Sequence, residues 1–92
     1  MKLVIGLGNP GKEYSATRHN AGFMFVDILR ARWSFPNFEF QKKFKAELSR
    51  GKFQSEDVIL IKPQTFMNTS GEAVKKILDF YKLTPKSLLV IH

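Results

Sequence analysis

Lys2-Leu3-Val4-Ile5-Gly6-Leu7-Gly8-Asn9-Pro10-Gly11 is the stretch that decides how this chain is read. Lys2 to Leu7 is a short apolar run halted by glycine, the pattern of a strand buried on both faces. Gly8 to Arg18 follows as a loop, with Asn-Pro-Gly as its turn chemistry. Gly6, Gly8 and Gly11 also match G-x-G-x-x-G after a strand, the fingerprint of dinucleotide binding. Three features oppose that reading. Pro10 stands where the fingerprint should open its helix, and it has no N–H to offer a pyrophosphate. The helical pattern begins only at Thr17 or later, so no helix N-terminus addresses the loop. The acidic residue expected about 20 positions on is missing, since Asp27 falls inside the helical pattern. A nucleotide-binding module is the alternative to beat, and a melting temperature raised by NAD or ATP would be its signature.

Working outward, Thr17 or Asn20 is the candidate cap of a helix whose apolar positions Ala21, Met24, Phe25, Ile28 and Leu29 recur at helical spacing and which ends before Pro36. Phe38 to Phe53 alternates in part, as in Phe44, Ala46 and Leu48, and predicts a half-exposed strand. Gly51 to Asp57 carries the next turn, and Val58 to Ile61 is an apolar strand stopped by Pro63. Thr69-Ser70-Gly71-Glu72 has capping-box spacing, with Val74, Ile77, Leu78 and Tyr81 at i, i+3, i+4 and i+7 behind it. Ser87 to Ile91 reads as a last strand. The order β-α-β-β-α-β predicts an α/β fold: a mixed, mostly parallel twisted sheet flanked by helices. The final strand meets the end of the chain with no turn and no covering helix. Because a parallel strand wants both faces covered, the sheet is expected to be incomplete, with an exposed edge prone to association.

At 92 residues the chain is one domain at most, with a modest core. A hydrophobic share of 43% and nine Phe mark it as globular rather than disordered. The absence of cysteine excludes disulfides and Cys-ligated zinc and fits a reducing cytosol. No apolar run approaches the roughly 20 residues of a membrane span, and Lys2 with its short apolar run is not a signal peptide. Fifteen Lys and Arg against eight Asp and Glu leave a net charge of +7, which favours a polyanionic partner.

Two long blocks sharpen this. One is Gly6-Leu7-Gly8-Asn9-Pro10-Gly11-Lys12-Glu13-Tyr14-Ser15-Ala16-Thr17-Arg18-His19-Asn20-Ala21-Gly22. The other is Lys62-Pro63-Gln64-Thr65-Phe66-Met67-Asn68-Thr69-Ser70-Gly71-Glu72-Ala73-Val74. In their order and spacing they resemble the two signatures of bacterial-type peptidyl-tRNA hydrolases, and the resemblance spans the whole chain as the N-terminal portion of that single domain. It implies hydrolysis of the ester joining a peptide to its tRNA, in the cytoplasm, by a monomeric full-length enzyme.

His19 is the only histidine inside these blocks. Imidazole titrates near 6.5, so it can take a proton at cytosolic pH. Read locally, it is a histidine bound to backbone at the start of the first helix. The resemblance implies instead that it activates the attacking water. A positioned base supplies about 10²–10⁴-fold, and an ester is activated enough for one base to suffice. Ser15 and Ser70 flank the blocks, but neither lies in a G-x-S-x-G elbow, so direct water attack is the simpler route.

Asn9 and Asn68 carry amides that donate and accept without charge. Locally they suit a turn and a helix cap. The resemblance implies that Asn9 contacts the peptide and that Asn68 positions substrate and water. Phe66 and Met67 follow a proline and precede a cap, so they sit on a loop. Phe66, by resemblance, lies in the substrate cleft, where its ring can stack, and Tyr14 lies near the tRNA 3′ end. Lys12, Arg18, Lys42, Lys43, Lys45, Arg50 and Lys52 are candidates for phosphate contact, though each taken alone reads as a solvated charge. No His/Asp/Glu group has metal-ligand spacing, so the expected reaction uses neither metal nor cofactor.

The chain departs from the family in length. In family members the strand at His92 continues into an acidic run whose first aspartate lies beside the catalytic histidine. There it would orient the imidazole and steady its protonated form. The 92-residue chain is therefore expected to be a poor catalyst by itself.

Overall fold

A computed structural model describes residues 1–8, 21–64 and 70–91. The order is β1 (Lys2–Gly6), α1 (Ala21–Arg32), β2 (Glu39–Gln41), β3 (Ala46–Phe53), β4 (Glu56–Pro63), α2 (Ser70–Tyr81), a 3₁₀ turn at Pro85–Ser87 and β5 (Leu88–Ile91). The strands form one mixed sheet in the order β2-β3-β4-β1-β5. β1 is central and runs parallel to both β4 and β5. β2–β3 and β3–β4 are antiparallel. The expected mixed α/β sheet is present, with two pairings of each kind.

The two helices cover opposite faces, and β1 shows why. Successive side chains on a strand point to opposite sides. Leu3 and Ile5 join Ile59, Ile61, Ile77 and Leu78 in a core under α2, while Val4 joins Val26, Val58 and Leu60 in a core under α1. Continuous apolar sequence in β1 and β4 is what a strand sandwiched between helices requires.

Three details differ from the sequence reading. The segment Phe38 to Phe53 is two strands, because the chain reverses at Lys42–Lys45, where Lys45 has a φ of 51°. Phe44, which looked like part of the strand alternation, is instead a buried plug inside that turn. The later turn is shorter than Gly51 to Asp57. Only Gln54 and Ser55 turn, both with positive φ (51° and 68°), as a two-residue hairpin demands. Gly51 stays in β3, because a side chain there would strike the Phe35 ring, 2.8 Å from where a Cβ would stand.

The third difference concerns α1. Its buried face is Gly22 and Val26, with Leu29 and Trp33 half-buried behind them, while Ala21, Met24, Phe25 and Ile28 are exposed. The helix is where the periodicity predicts it, but its buried stripe is rotated. In α2 the expected stripe holds: Ile77 and Leu78 are buried, and Val74 and Tyr81 pack against the same core.

Candidate functional site at the carboxyl ends of β1, β4 and β5

The backbone converges tightly at the carboxyl end of β1. Leu7 N–H donates to the Ile91 carbonyl at 2.8 Å, tying the end of β1 to the end of β5. The first turn of α1 presses onto the same place. A Cβ on Gly22 would meet Ile91 O at 2.4 Å and Leu7 N at 2.5 Å, so only glycine fits. On the other side, Ile5 pairs with Ile61, and β4 ends at Pro63, with Gln64 directly after it.

Connectivity turns this edge into a crevice. The chain leaves β1 at Leu7 and Gly8 and resumes in α1, on one face of the sheet. It leaves the adjacent parallel strand β4 at Gln64 and resumes in α2, on the other face. Neighbouring strands whose connections depart to opposite faces form a topological switch point, where open α/β sheets bind ligands outside the carboxyl ends of the strands.

Between these elements the chain runs through residues 9–20 and 65–69. They contain Asn9, Tyr14, His19, Phe66, Met67 and Asn68, all of which lie outside the described residues, as do Lys12, Arg18, the candidate caps Thr17, Asn20 and Thr69, and His92. The described flanks are Leu7 and Gly8 before 9–20, Ala21 and Gly22 after it, Gln64 before 65–69 and Ser70 after it.

Around this edge the ionic contacts are structural. Lys62 reaches across from β4 to Asp27 of α1 at 2.8 Å and to Glu47 of β3 at 3.5 Å. Its ammonium also sits 4.2 Å from the centre of the Phe38 ring. Gln64 donates its backbone N–H to the Lys45 carbonyl at 2.8 Å, which holds the β2–β3 turn beside the exit from β4. Among the described residues, no group of three His, Cys, Asp or Glu side chains gathers as metal ligands do, and no helix is long and apolar enough to cross a membrane. A separate depression lies on the α2 side of β2 and β3, where Glu39, Gln41, Lys43, Leu48, Arg50 and Tyr81 contribute to its wall.

The sequence does not reveal two features of this edge. Gly22 was read as the end of a motif, not as the contact between α1 and both strand ends. Lys42, Lys43 and Lys45 are candidates for phosphate contact that taken singly read as solvated charges, and nothing in the sequence indicates that Gln64 holds their turn.

Comparison with known proteins agrees with this geometry. The family model described as peptidyl-tRNA hydrolase matches residues 3–92. A peptidyl-tRNA hydrolase of Brevibacillus brevis is 53% identical over all 92 residues, which cover 48% of that protein. One from Neisseria meningitidis is 52% identical, with 47% of its length covered. The crystal structure of peptidyl-tRNA hydrolase from Acinetobacter baumannii superimposes with a TM-score of 0.94 at 41% identity, over the whole of this chain and 46% of that one. The chain thus spans about half the length of the relatives it matches.

Proposed function

Because the chain belongs to the peptidyl-tRNA hydrolase family, we propose that it supplies the water-activating part of an enzyme that cuts the ester between peptide and tRNA. One observation carries this. The two family signatures include the described residues Leu7, Gly8, Pro63 and Gln64, where the chain leaves β1 and β4 at the switch point between them, the place where such a sheet binds ligands.

In this reading His19 takes a proton from water as the water attacks the ester carbonyl, and returns it to the tRNA 3′ ribose oxygen, which leaves as an alcohol. The Asn68 amide positions water and substrate, and the Asn9 amide donates to a peptide carbonyl. A neutral amide suits these tasks, because it can bind either a carbonyl or a developing oxyanion. Phe66 and Tyr14 offer rings for the 3′-terminal nucleotide, with Met67 beside them. Base, water and amides suffice without a metal or cofactor. The substrate arises in translation, which places the reaction in the cytoplasm, and the full-length enzyme works as a monomer. The imidazole needs a carboxylate to fix its tautomer.

The test is a splice. This chain replaces the matching 92 residues of the Brevibacillus brevis relative, and release of peptide from peptidyl-tRNA is followed. The spliced enzyme should turn over. His19→Ala within it should lower the rate by about 10²–10⁴-fold while the melting temperature holds. A spliced protein that folds but does not cut the ester, or a His19→Ala form that turns over undiminished, overturns the assignment. NAD or ATP raising the melting temperature would revive the dinucleotide reading.

A further inference from the structure

We propose that the turn between β2 and β3, Lys42-Lys43-Phe44-Lys45, is a contact for the sugar–phosphate backbone of the RNA substrate; this rests on the hydrolase reading above.

Three of its four residues are lysines, and all three are exposed. The ion pairs among the described residues engage Arg50, Lys52 and Lys62, and none of the turn lysines takes part. Glu47, the next carboxylate along the chain, is already engaged by Lys62. Clustered like charges repel one another, which a bound polyanion relieves.

The turn is also held rigidly. Phe44 is only 4% exposed and belongs to the α2-side core. Phe44 N–H donates to Gln41 O at 3.1 Å, and Lys45 N–H to Lys42 O at 3.2 Å. The Lys43 ammonium rests 3.9 Å from the Phe80 ring centre, so its position is set as well. A cation fixed beforehand loses less freedom on meeting a phosphate than one on a mobile tail.

The place is right. Ala46 pairs with Pro63, so the turn stands at the carboxyl end of β4, and the Gln64 contact puts it beside the entry to 65–69. A nucleic-acid strand delivering its end to the switch point would pass these lysines. Phosphate contacts carry no sequence information, so they serve any tRNA alike.

The experiment measures binding of labelled, unacylated tRNA to the 92-residue chain by fluorescence anisotropy across a salt series. The variants are Lys42→Ala/Lys45→Ala and, as a charge-matched control, Lys2→Ala/Lys86→Ala. Lys2 opens β1 and Lys86 precedes β5, so this control lies at the opposite end of the sheet. The turn variant should bind at least about tenfold more weakly near 0.1 M salt, and its log–log salt slope should shrink by about two. The control should keep the slope of the unmodified chain. An unchanged slope in the turn variant, an equal loss in the control, or no tRNA binding by the unmodified chain would overturn the proposal. The two readings fail differently. Ester cleavage by the spliced enzyme with an unaltered salt slope in the turn variant removes the turn alone. Full salt-dependent binding through the turn with no ester cut removes the hydrolase reading.

Discussion

Gly6 and Gly22 meet backbone to backbone, so that a Cβ built on Gly6 would stand 2.3 Å from the Gly22 carbonyl oxygen. This contact seats the first turn of α1 on the end of β1 and so fixes one lip of the crevice. Atoms of the main chain cannot give way as a flexible side chain can. Overpacking costs about 1–3 kcal/mol where side chains can shift, so Gly6→Ala or Gly22→Ala should lose about 3 kcal/mol or more in urea unfolding. Gly71 is the contrast. Its Cβ would meet nothing within 4 Å, and Gly71→Ala in α2 should gain about 0.5–1 kcal/mol. A loss below about 1 kcal/mol at Gly6 would mean that α1 is not seated as described.

Lys62 tests whether α1 is held to the sheet by charge or by packing. Its side chain is 15% exposed, but its partners Asp27 and Glu47 are 51% and 33% exposed. Pairs with such carboxylates are worth little each, about 0–1 kcal/mol. The stem of the lysine packs, and its ammonium faces the Phe38 ring. Lys62→Met should therefore cost about 1 kcal/mol, and Lys62→Ala more, because it also removes the packed stem. If raising the salt abolishes both losses in thermal melts, charge is the whole of the interaction.

The framework of the fold was legible because β1 and β4 are continuous apolar runs and α2 repeats at helical spacing. What escaped has physical causes. In α1 the helical period was visible, but the buried flank is set by Gly22, which carries no side chain and so adds nothing to a hydrophobic pattern. Its close approach to Leu7 and Ile91 rotates the helix, and Met24, Phe25 and Ile28 end up in solvent. The turn at Lys42–Lys45 contains no Gly, Pro, Asn or Asp, and its central Phe44 is buried, so it mimicked a strand. Gln54 and Ser55 likewise adopt positive φ without glycine, while the nearby Gly51 serves packing against Phe35 instead. For the site, the sequence points to two blocks, but that the strands they adjoin, β1 and β4, flank one crevice follows only from the strand order.

Phe44 links the core to the basic turn. Its ring meets Phe80 edge-on at 5.4 Å and lies 6.5 Å from Tyr81. Phe44→Ala should cost about 3–5 kcal/mol, the usual range for removing a buried phenyl ring. Phe44→Leu should recover most of that. A cost under about 1 kcal/mol would show that the turn is anchored by its hydrogen bonds rather than by this ring.

The free side of β5 should make the chain associate. On its other side β5 pairs with β1, and the register sets Leu89 beside Val4 and Val90 beside Ile5. Yet Leu89 and Val90 are 59% and 39% exposed, whereas Val4 and Ile5 are buried. Main-chain groups along the outer side have no strand partner among the described residues, and Leu88–Ile91 carries no charge to deter pairing. The net charge of +7 opposes contact between copies, and salt weakens that opposition, since the Debye length falls from about 10 Å at 0.1 M to about 3 Å at 1 M. Light scattering of the 92-residue chain should therefore report larger species as salt and concentration rise. Leu89→Lys places a charge on the edge and should restore the monomer. Association that ignores this substitution must run through another surface, such as exposed Met24, Phe25 and Ile28 on α1.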